Sequence, residues 1–404
     1  MNVVDQELAE VSLELRRTFA ATAAKVDREG KYPEENMRLI EASPLGRLSV
    51  PRSRGGRGAD GIIDDLGTYV EVISNLAAGE SSTAQIWMFS TRPSCWFLGE
   101  HSPLPVEGRE AIWERVRTEG RIMRFCTTGT ERAQGGKIAK IGAFEMPAKR
   151  VEGGVVINGT KAFGTGVDGA DYANVHVVEE GFENYEVRPY EVLVDLRSEG
   201  ITVKGDWDNM GQRATGSHTV VYDNVFVPDG FHWRPAETVV APLGPRTQLM
   251  MAAIALGIGL GALDDLVRFQ RNRASFPGAK DDAVIQWQIG RYTYRLQAAQ
   301  AMVMAGVPMV QALEAGERDD VENVAAYVAA SKLAALDAGG EIAGEMQRMC
   351  GGSSSSNAFG MDRHWRNLRT FSVQDPADLR QRQVGRNRLY EGAAGQPRSE
   401  NAPY

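Results

Sequence analysis

Hydrophobic positions along the chain change their period twice. From 6 to 29 (QELAEVSLELRRTFAATAAKVDRE), Leu8, Val11, Leu15, Phe19, Ala23 and Val26 recur at helical spacing, which predicts a helix with one buried stripe. The same spacing predicts helices over about 33–43, 61–78, 81–99 and 107–119. Near residue 121 short β-branched runs take over: RIMRFCTTGT, RVEGGVVINGTKAFGTG, YANVHVVEE, YEVLVDL, GITVKGDW and SHTVVYDNVFV, divided by Gly, Asn and Asp. Asn158-Gly159 within VINGTKAF predicts a hairpin turn. After Pro228 helical spacing returns over 244–273, 281–315, 319–350 and 360–371, joined by short connections such as SFPGAK and EAGERD, which suits a four-helix bundle. The expected fold is α+β in three zones: an N-terminal α-helical domain (1–120), a central small antiparallel β-domain (121–233) and a C-terminal bundle with a tail (234–404). Helical layers around a β-domain leave deep clefts between domains, where large cofactors lie.

Composition narrows the function. With 404 residues, 43% of them hydrophobic, the chain has sizeable cores. A net charge of -8 gives no global field toward nucleic acid or an anionic membrane. Cys95, Cys126 and Cys350 stand far apart, without framework spacing, which suits a reduced, cytoplasmic protein. The N-terminus shows no signal-peptide pattern. The most apolar stretch, 249–263, falls short of the roughly 20 residues of a membrane span and reads as a buried helix. The small and apolar residues of the bundle helices, 247–263 in particular, also suggest a subunit surface and hence a homotetramer or dimer. Five histidines, none in HExxH or HxH spacing, predict no metal site, and no P-loop is present. One local cluster stands out: DRHWRNLRTFSVQDP (362–376) interleaves Arg363, His364, Arg366 and Arg369 with Trp365, Leu368 and Phe371. It is either a basic face or the wall of a pocket for an anionic organic molecule.

WDNMGQRATGSHTVVYDNVFVP (207–228) resembles the flavin-domain signature of the acyl-CoA dehydrogenase superfamily, MGxRxTxSxxxxxDxVxVP. Four further stretches resemble that family in order: TTGTE (127–131), GTKAFGTG (159–166), RNRASF (271–276) and QRMCGGSSS (347–355). The 362–376 segment and VGRNRLYEG (384–392) are similar to the branch of dibenzothiophene monooxygenases and sulfur-acquisition oxidoreductases. The resemblance implies a two-component flavin monooxygenase, which takes reduced FMN or FAD from a separate reductase and uses O2 to oxidise a small organic substrate. It also implies a cofactor shell of Thr128, Thr130, Phe163, Thr165, Trp207, Arg213 and Ser217. Arg273, Gly351, Gly352 and Arg369 become candidates for the cofactor's anionic part, Arg273 across a subunit boundary. Hydroxyls, peptide groups and flat apolar walls suit an isoalloxazine, and Arg forks suit a phosphate.

The candidate catalytic residues are Gln374, Asp375 and Ser90. Branch members carry histidine where this chain has Gln374 and, after an AQI stretch, where it has Ser90. Both replacements hydrogen-bond but do not titrate near pH 7, which favours oxidation of a nucleophilic amine or thioether over that of a phenol. The alternative is an acyl-CoA dehydrogenase-like dehydrogenase or oxidase with Asp375, or Glu391 of LYEG, as the base. A partner subunit without catalysis is the third reading.

Overall fold

Acidic side chains open three helices of the first zone. Asp5 accepts the Leu8 amide and starts α1 (Gln6–Glu29); Asp65 accepts the Thr68 amide and starts α3 (Leu66–Gly79). Buried Glu80 accepts the Ser82 and Thr83 amides and starts α4 (Ser81–Leu98). With α2 (Glu34–Ala42) and α5 (Val106–Glu119) these form the N-terminal layer. The computed structural model describes residues 4–48, 50–57, 65–99, 102–128, 130–131, 146–180, 190–234, 237–273 and 275–390.

The strands are β1 (Phe125–Thr128), β2 (Thr130–Glu131), β3 (Pro147–Val151), β4 (Gly154–Gly164), β5 (Tyr172–Glu179), β6 (Tyr190–Asp195), β7 (Ile201–Val203), β8 (His218–Pro228) and β9 (His232–Trp233). Among the described residues they form one sheet in the order β7-β8-β4-β3-β5-β6-β9, with β1 beside β5 and β2 beside β4. It is mostly antiparallel, but β1–β5 and β3–β5 are parallel. The hairpin expected at Asn158-Gly159 is absent. β4 runs straight through it, and the pair forms a bulge against β8, where the register shifts between Ile157 and Gly159. Asn158 accepts the Asn224 amide at 2.7 Å, and a Cβ on Gly159 would lie 2.8 Å from Met146. The chain reverses instead just before β4, next to Gly153 (φ +76°).

The third zone contains α6 (Glu237–Arg271), α7 (Ala283–Glu314), α8 (Val321–Cys350), α9 (Asp362–Gln374) and α10 (Ala377–Leu389). Sequence periodicity misses α10, whose residues are all partly or fully exposed and so carry no apolar stripe. The stretch 247–263, expected to help form a subunit surface, lies instead in the middle of the protomer, where Leu249 to Leu256 are all buried. Its glycines let other backbones approach. A Cβ on Gly257 would lie 2.4 Å from the Ser74 carbonyl of α3, one on Gly261 2.5 Å from the Ala78 carbonyl, and one on Gly259 2.9 Å from Gly339 of α8. One hydrophobic cluster therefore runs through α1, α3, α6, α7, α8 and α9, joining the N-terminal layer to the bundle.

That packing sets an expectation. Gly257→Ala overfills the α3–α6 contact and costs about 1–3 kcal/mol, whereas Gly344→Ala, with open space at its Cβ, gains a few tenths or more from helix propensity. Denaturant midpoints of the two variants check this; equal midpoints would contradict the close approach.

Candidate functional site

The end of β4 and the start of β8 form a polar shelf. Thr165 and Ser217 are buried, their hydroxyls 3.0 Å apart, and Ser217 lies 2.8 Å from the Thr215 hydroxyl. Thr215 donates to the Gln212 carbonyl at 2.9 Å, and the Trp207 indole N–H donates to the same carbonyl at 3.0 Å. Phe163 flanks this row with φ at +60°, 41% exposed, its ring edge-on to Trp207 at 6.4 Å. A non-glycine residue held there with an exposed aromatic ring is a costly arrangement that serves a site better than a core. Thr128 lies behind the shelf, buried, hydrogen-bonded to Tyr222 at 3.0 Å and against Gly164. Thr130 pairs with Ala162 through the backbone; its side chain lies outside the described part. Arg213 packs beside Gly30 at the C-terminus of α1. A row of hydroxyls beside exposed aromatic faces fits a flavin ring, and these side chains would hold one.

Gln212 fastens the shelf to the helices. Its backbone is left-handed, with φ +49°, and its amide donates to Asn367 Oδ1 on α9 at 2.7 Å. Its side chain accepts from Ser81 at 2.6 Å and donates to Gln85 Oε1 on α4 at 2.6 Å. Gln85 in turn donates to Gln374 Oε1 at 3.0 Å. Gly211 must be glycine, since a Cβ would lie 2.0 Å from the Arg366 carbonyl. Sequence reasoning missed Gln85, Gln212, Ser81 and Asn367. The AQI and MGQR stretches contain two of them, but an amide has no titration or ligand signature that marks it.

The basic run on α9 divides between two faces. Inward, Arg363 and His364 are buried and both donate to Asp265 of α6, His364 Nε2 at 2.8 Å. Arg366 grips both oxygens of Asp27 on α1 at 3.1 and 2.6 Å and donates to the Met210 carbonyl at 2.7 Å. These charges join helices and do not line a basic surface. Outward, Trp365 is 43% exposed and Val373 61%, with Arg369 exposed between them.

Arg273, Gly351 and Gly352 come together away from the shelf, at the far end of α6. Arg273 donates to the Met349 carbonyl at 3.1 Å, and its guanidinium lies where a Cβ on Gly351 would be 2.8 Å away. It borders a cavity of about 500 Å³ lined by Arg268, Phe269, Asn272, Ser353 and Phe359.

The three catalytic candidates differ in placement. Ser90 is buried and accepts the Phe125 amide at 3.1 Å, linking α4 to β1. Asp375 receives Lys332, whose amino group is fully buried, at 2.5 Å, and both oxygens take hydrogen bonds from Arg380 at 2.6 and 2.9 Å. Burial opposes ionisation there, but the Arg380 hydrogen bonds and the Lys332 charge prevail and hold the carboxyl at about 2. A carboxylate so paired is a poor proton acceptor at neutral pH. Gln374 is exposed at the end of α9. Glu391 lies outside the described residues. Burial pushes the Cys126 thiol up to about 12 and Cys350 to about 11, which leaves neither a nucleophile.

The chain is similar to known proteins along most of its length. Residues 126–225 match the acyl-CoA dehydrogenase middle domain and 249–374 its C-terminal domain. The dibenzothiophene monooxygenase of Rhodococcus erythropolis is 26% identical over 407 aligned residues, covering 96% of this chain and 94% of its own. The probable FMNH2-dependent monooxygenase SfnC of Pseudomonas putida is 24% identical over 402 residues, 93% of each chain. Among solved structures, TdsC from Paenibacillus sp. A11-2 in complex with FMN and indole superposes with a TM-score of 0.82 at 25% identity, over 95% of this chain and 97% of that one.

His364 yields a pH prediction. Burial, then the Arg363 and Arg268 charges, depress it well below 6.5, so the folded protein keeps it neutral while the unfolded chain protonates it below that value. The folded state therefore binds fewer protons, and stability falls as pH drops through the unfolded value near 6.5, with a slope of at most about 1.4 kcal/mol per pH unit. His364→Gln removes that slope while Glu80 and the carboxylates titrate in both proteins. Denaturation curves across this range that stay parallel for the two proteins would contradict it.

Proposed function

Because the chain belongs to the acyl-CoA dehydrogenase superfamily, as a flavin-dependent monooxygenase of its dibenzothiophene monooxygenase branch, we propose that it oxidises a small apolar sulfur or nitrogen compound beside the α9 terminus, using FMN delivered by a separate reductase. Reduced flavin supplies the electrons that activate oxygen, one atom going to the substrate and the other to water. The chain's own residues do the rest. Thr165 and Ser217 offer hydroxyls to the ring edge, Phe163 and Trp207 its apolar wall, and Gln374 a neutral hydrogen-bonding group where branch members carry histidine. The carrying observation is Asp375. Its pairing with Lys332 and Arg380 removes the base that α-proton abstraction from an acyl-CoA needs, while the oxygenase reading asks for none at that position.

We assign the enzyme to the cytoplasm, as a homotetramer or at least a dimer whose interface uses α7. Val284, Trp287 and Tyr294 on that helix are 68%, 63% and 59% exposed, and Ala298, Ala301 and Ala305 continue the line at helical spacing. Such a stripe on a long helix is what a subunit interface covers. In an assembly Arg273 and the Gly351–Gly352 turn would serve a neighbour's flavin phosphate.

Two expectations follow from this reading. Supplied with chemically reduced FMN, ¹⁸O2 and dibenzothiophene or indole, the protein gives a product carrying one ¹⁸O, and Ser217→Ala with Thr165→Val weakens FMN binding roughly ten- to a hundredfold, as two lost hydrogen bonds imply. Anaerobic bleaching of the flavin by an acyl-CoA, without labelled product, would overturn the function. Trp287→Glu with Tyr294→Glu reduces the mass seen by light scattering to that of a monomer. A monomeric wild type at micromolar concentration would end the assembly proposal.

A further inference from the structure

Gln374 is the last residue of an amide chain whose direction is set by the backbone. Amides are ambiguous partners, since each has a donor end and an acceptor end of similar shape. Here two backbone groups remove the ambiguity. The Gln212 main-chain N–H can only donate, so the Asn367 atom 2.7 Å away is its oxygen. Asn367 therefore turns its nitrogen to the Ser81 hydroxyl at 3.0 Å, and that hydroxyl donates onward to Gln212 Oε1 at 2.6 Å. The Ser81 carbonyl can only accept, and it meets the Gln212 side-chain nitrogen at 3.4 Å, which confirms the same orientation. The nitrogen of Gln212 then donates to Gln85 Oε1 at 2.6 Å, which turns the Gln85 nitrogen, at the other end of the amide, toward Gln374 Oε1 at 3.0 Å. Ser81, Gln85, Gln212 and Asn367 are all at most 4% exposed, so water does not compete along this line as far as Gln85, and only Gln374 at its end is exposed.

We propose that Gln85 is a positioning residue, which orients Gln374 so that its amide nitrogen, and not its oxygen, faces the cleft as a fixed hydrogen-bond donor. The inference rests on the oxygenase reading for the use of that donor, but not for its orientation. Every member of the chain is neutral. The ionisable groups around it are engaged elsewhere: Glu80 with the first amides of α4, Arg363 and His364 with Asp265, Arg366 with Asp27, and Asp375 with Lys332 and Arg380. The donor therefore keeps its polarity across the pH range in which a histidine at this position would change charge and role.

Gln85→Glu tests the polarity and keeps the shape. When protonated, the introduced carboxyl accepts from Gln212 and donates to Gln374, as the native amide does. When ionised it has only acceptors, and Gln374 must turn its nitrogen inward and its oxygen to the cleft. A buried glutamate titrates between about pH 6 and about pH 9, so the variant passes from one state to the other in that range. With reduced FMN, O2 and dibenzothiophene or indole, the wild type releases a constant share of its reducing equivalents as hydrogen peroxide across the range. In Gln85→Glu that share rises roughly five- to tenfold at the alkaline end and returns toward wild type at the acid end, the size expected for one lost hydrogen bond. Gln85→Leu shows the rise at every pH. Neutron diffraction from deuterated wild-type crystals reads the orientation independently of turnover, with deuterons on the Gln374 nitrogen pointing away from Gln85. A Gln374 nitrogen turned toward Gln85, or alkaline Gln85→Glu coupling as well as wild type, overturns the proposal. If wild type oxygenates neither compound, the substrate reading suffers and the neutron result still decides the orientation.

Discussion

The left-handed backbone at Gln212 is the constraint on which the site depends. A residue with a Cβ avoids that conformation unless its surroundings over-determine it, and here they do. The preceding Gly211 lies directly on the α9 backbone, the Gln212 amide is held by Asn367, its carbonyl takes Trp207 and Thr215, and its side chain lies between Ser81 and Gln85. One residue thus ties the β-domain shelf to α4 and α9. Domains joined by soft linkers move relative to each other by default. A buried polar joint, fully satisfied, instead fixes the shelf that carries Thr165 and Ser217 against the helix end that carries Gln374.

The charges of α9 support the same joint. Arg363 and His364 hold α6 through Asp265, and Arg366 holds α1 through Asp27 while its guanidinium also takes the Met210 carbonyl just before Gly211. Such buried pairs add little net stability but are costly to break on one side, so they specify one helix arrangement. With the inner cations committed to structure, the outer face of α9 presents Trp365, Arg369 and Val373 next to a neutral amide. The question raised by the basic run thus has a split answer. Its inner half is a clasp between helices, and only its outer half faces open space.

Much of this was legible in the chain. The change from helical to alternating spacing near residue 121, and back after 228, located the three layers, because each layer buries one periodic face. The shelf was legible through Phe163, Thr165, Trp207 and Ser217, which motif resemblance brought together. Other features were hidden for physical reasons. Asn158-Gly159 has the composition of a turn, but a paired bulge with Asn224 consumes it, and only the strand partner reveals that. α10 has no buried stripe, so no period announces it. Asp375 looked like a possible base because a carboxylate next to a turn looks the same whether free or paired. Arg380, one helical turn on, and Lys332, 43 positions away in sequence, are what pair it. The amide chain left no trace, since its members come from three separate stretches, α4, the turn at Gln212 and α9, and none titrates.

An amide at the end of α9 gives a different kind of control from the histidine that the family resemblance leads one to expect there. A histidine offers a donor or an acceptor according to tautomer and pH, and so can take a proton from a phenol during oxidation. Gln374 cannot take that proton, and its partner Gln85 is itself anchored, through Gln212, to main-chain groups that never change role. What the site keeps is orientation: a donor aimed in one direction at no cost in reorganisation when charge develops. Substrates that bring their own lone pair, a thioether or an amine, need only that. A phenol needs the base as well, and the nearest carboxylate, Asp375, is committed to two cations. Under the function proposed above, the neutral relay and the paired aspartate suit the same class of substrate from opposite sides, one by what it supplies and the other by what it withholds.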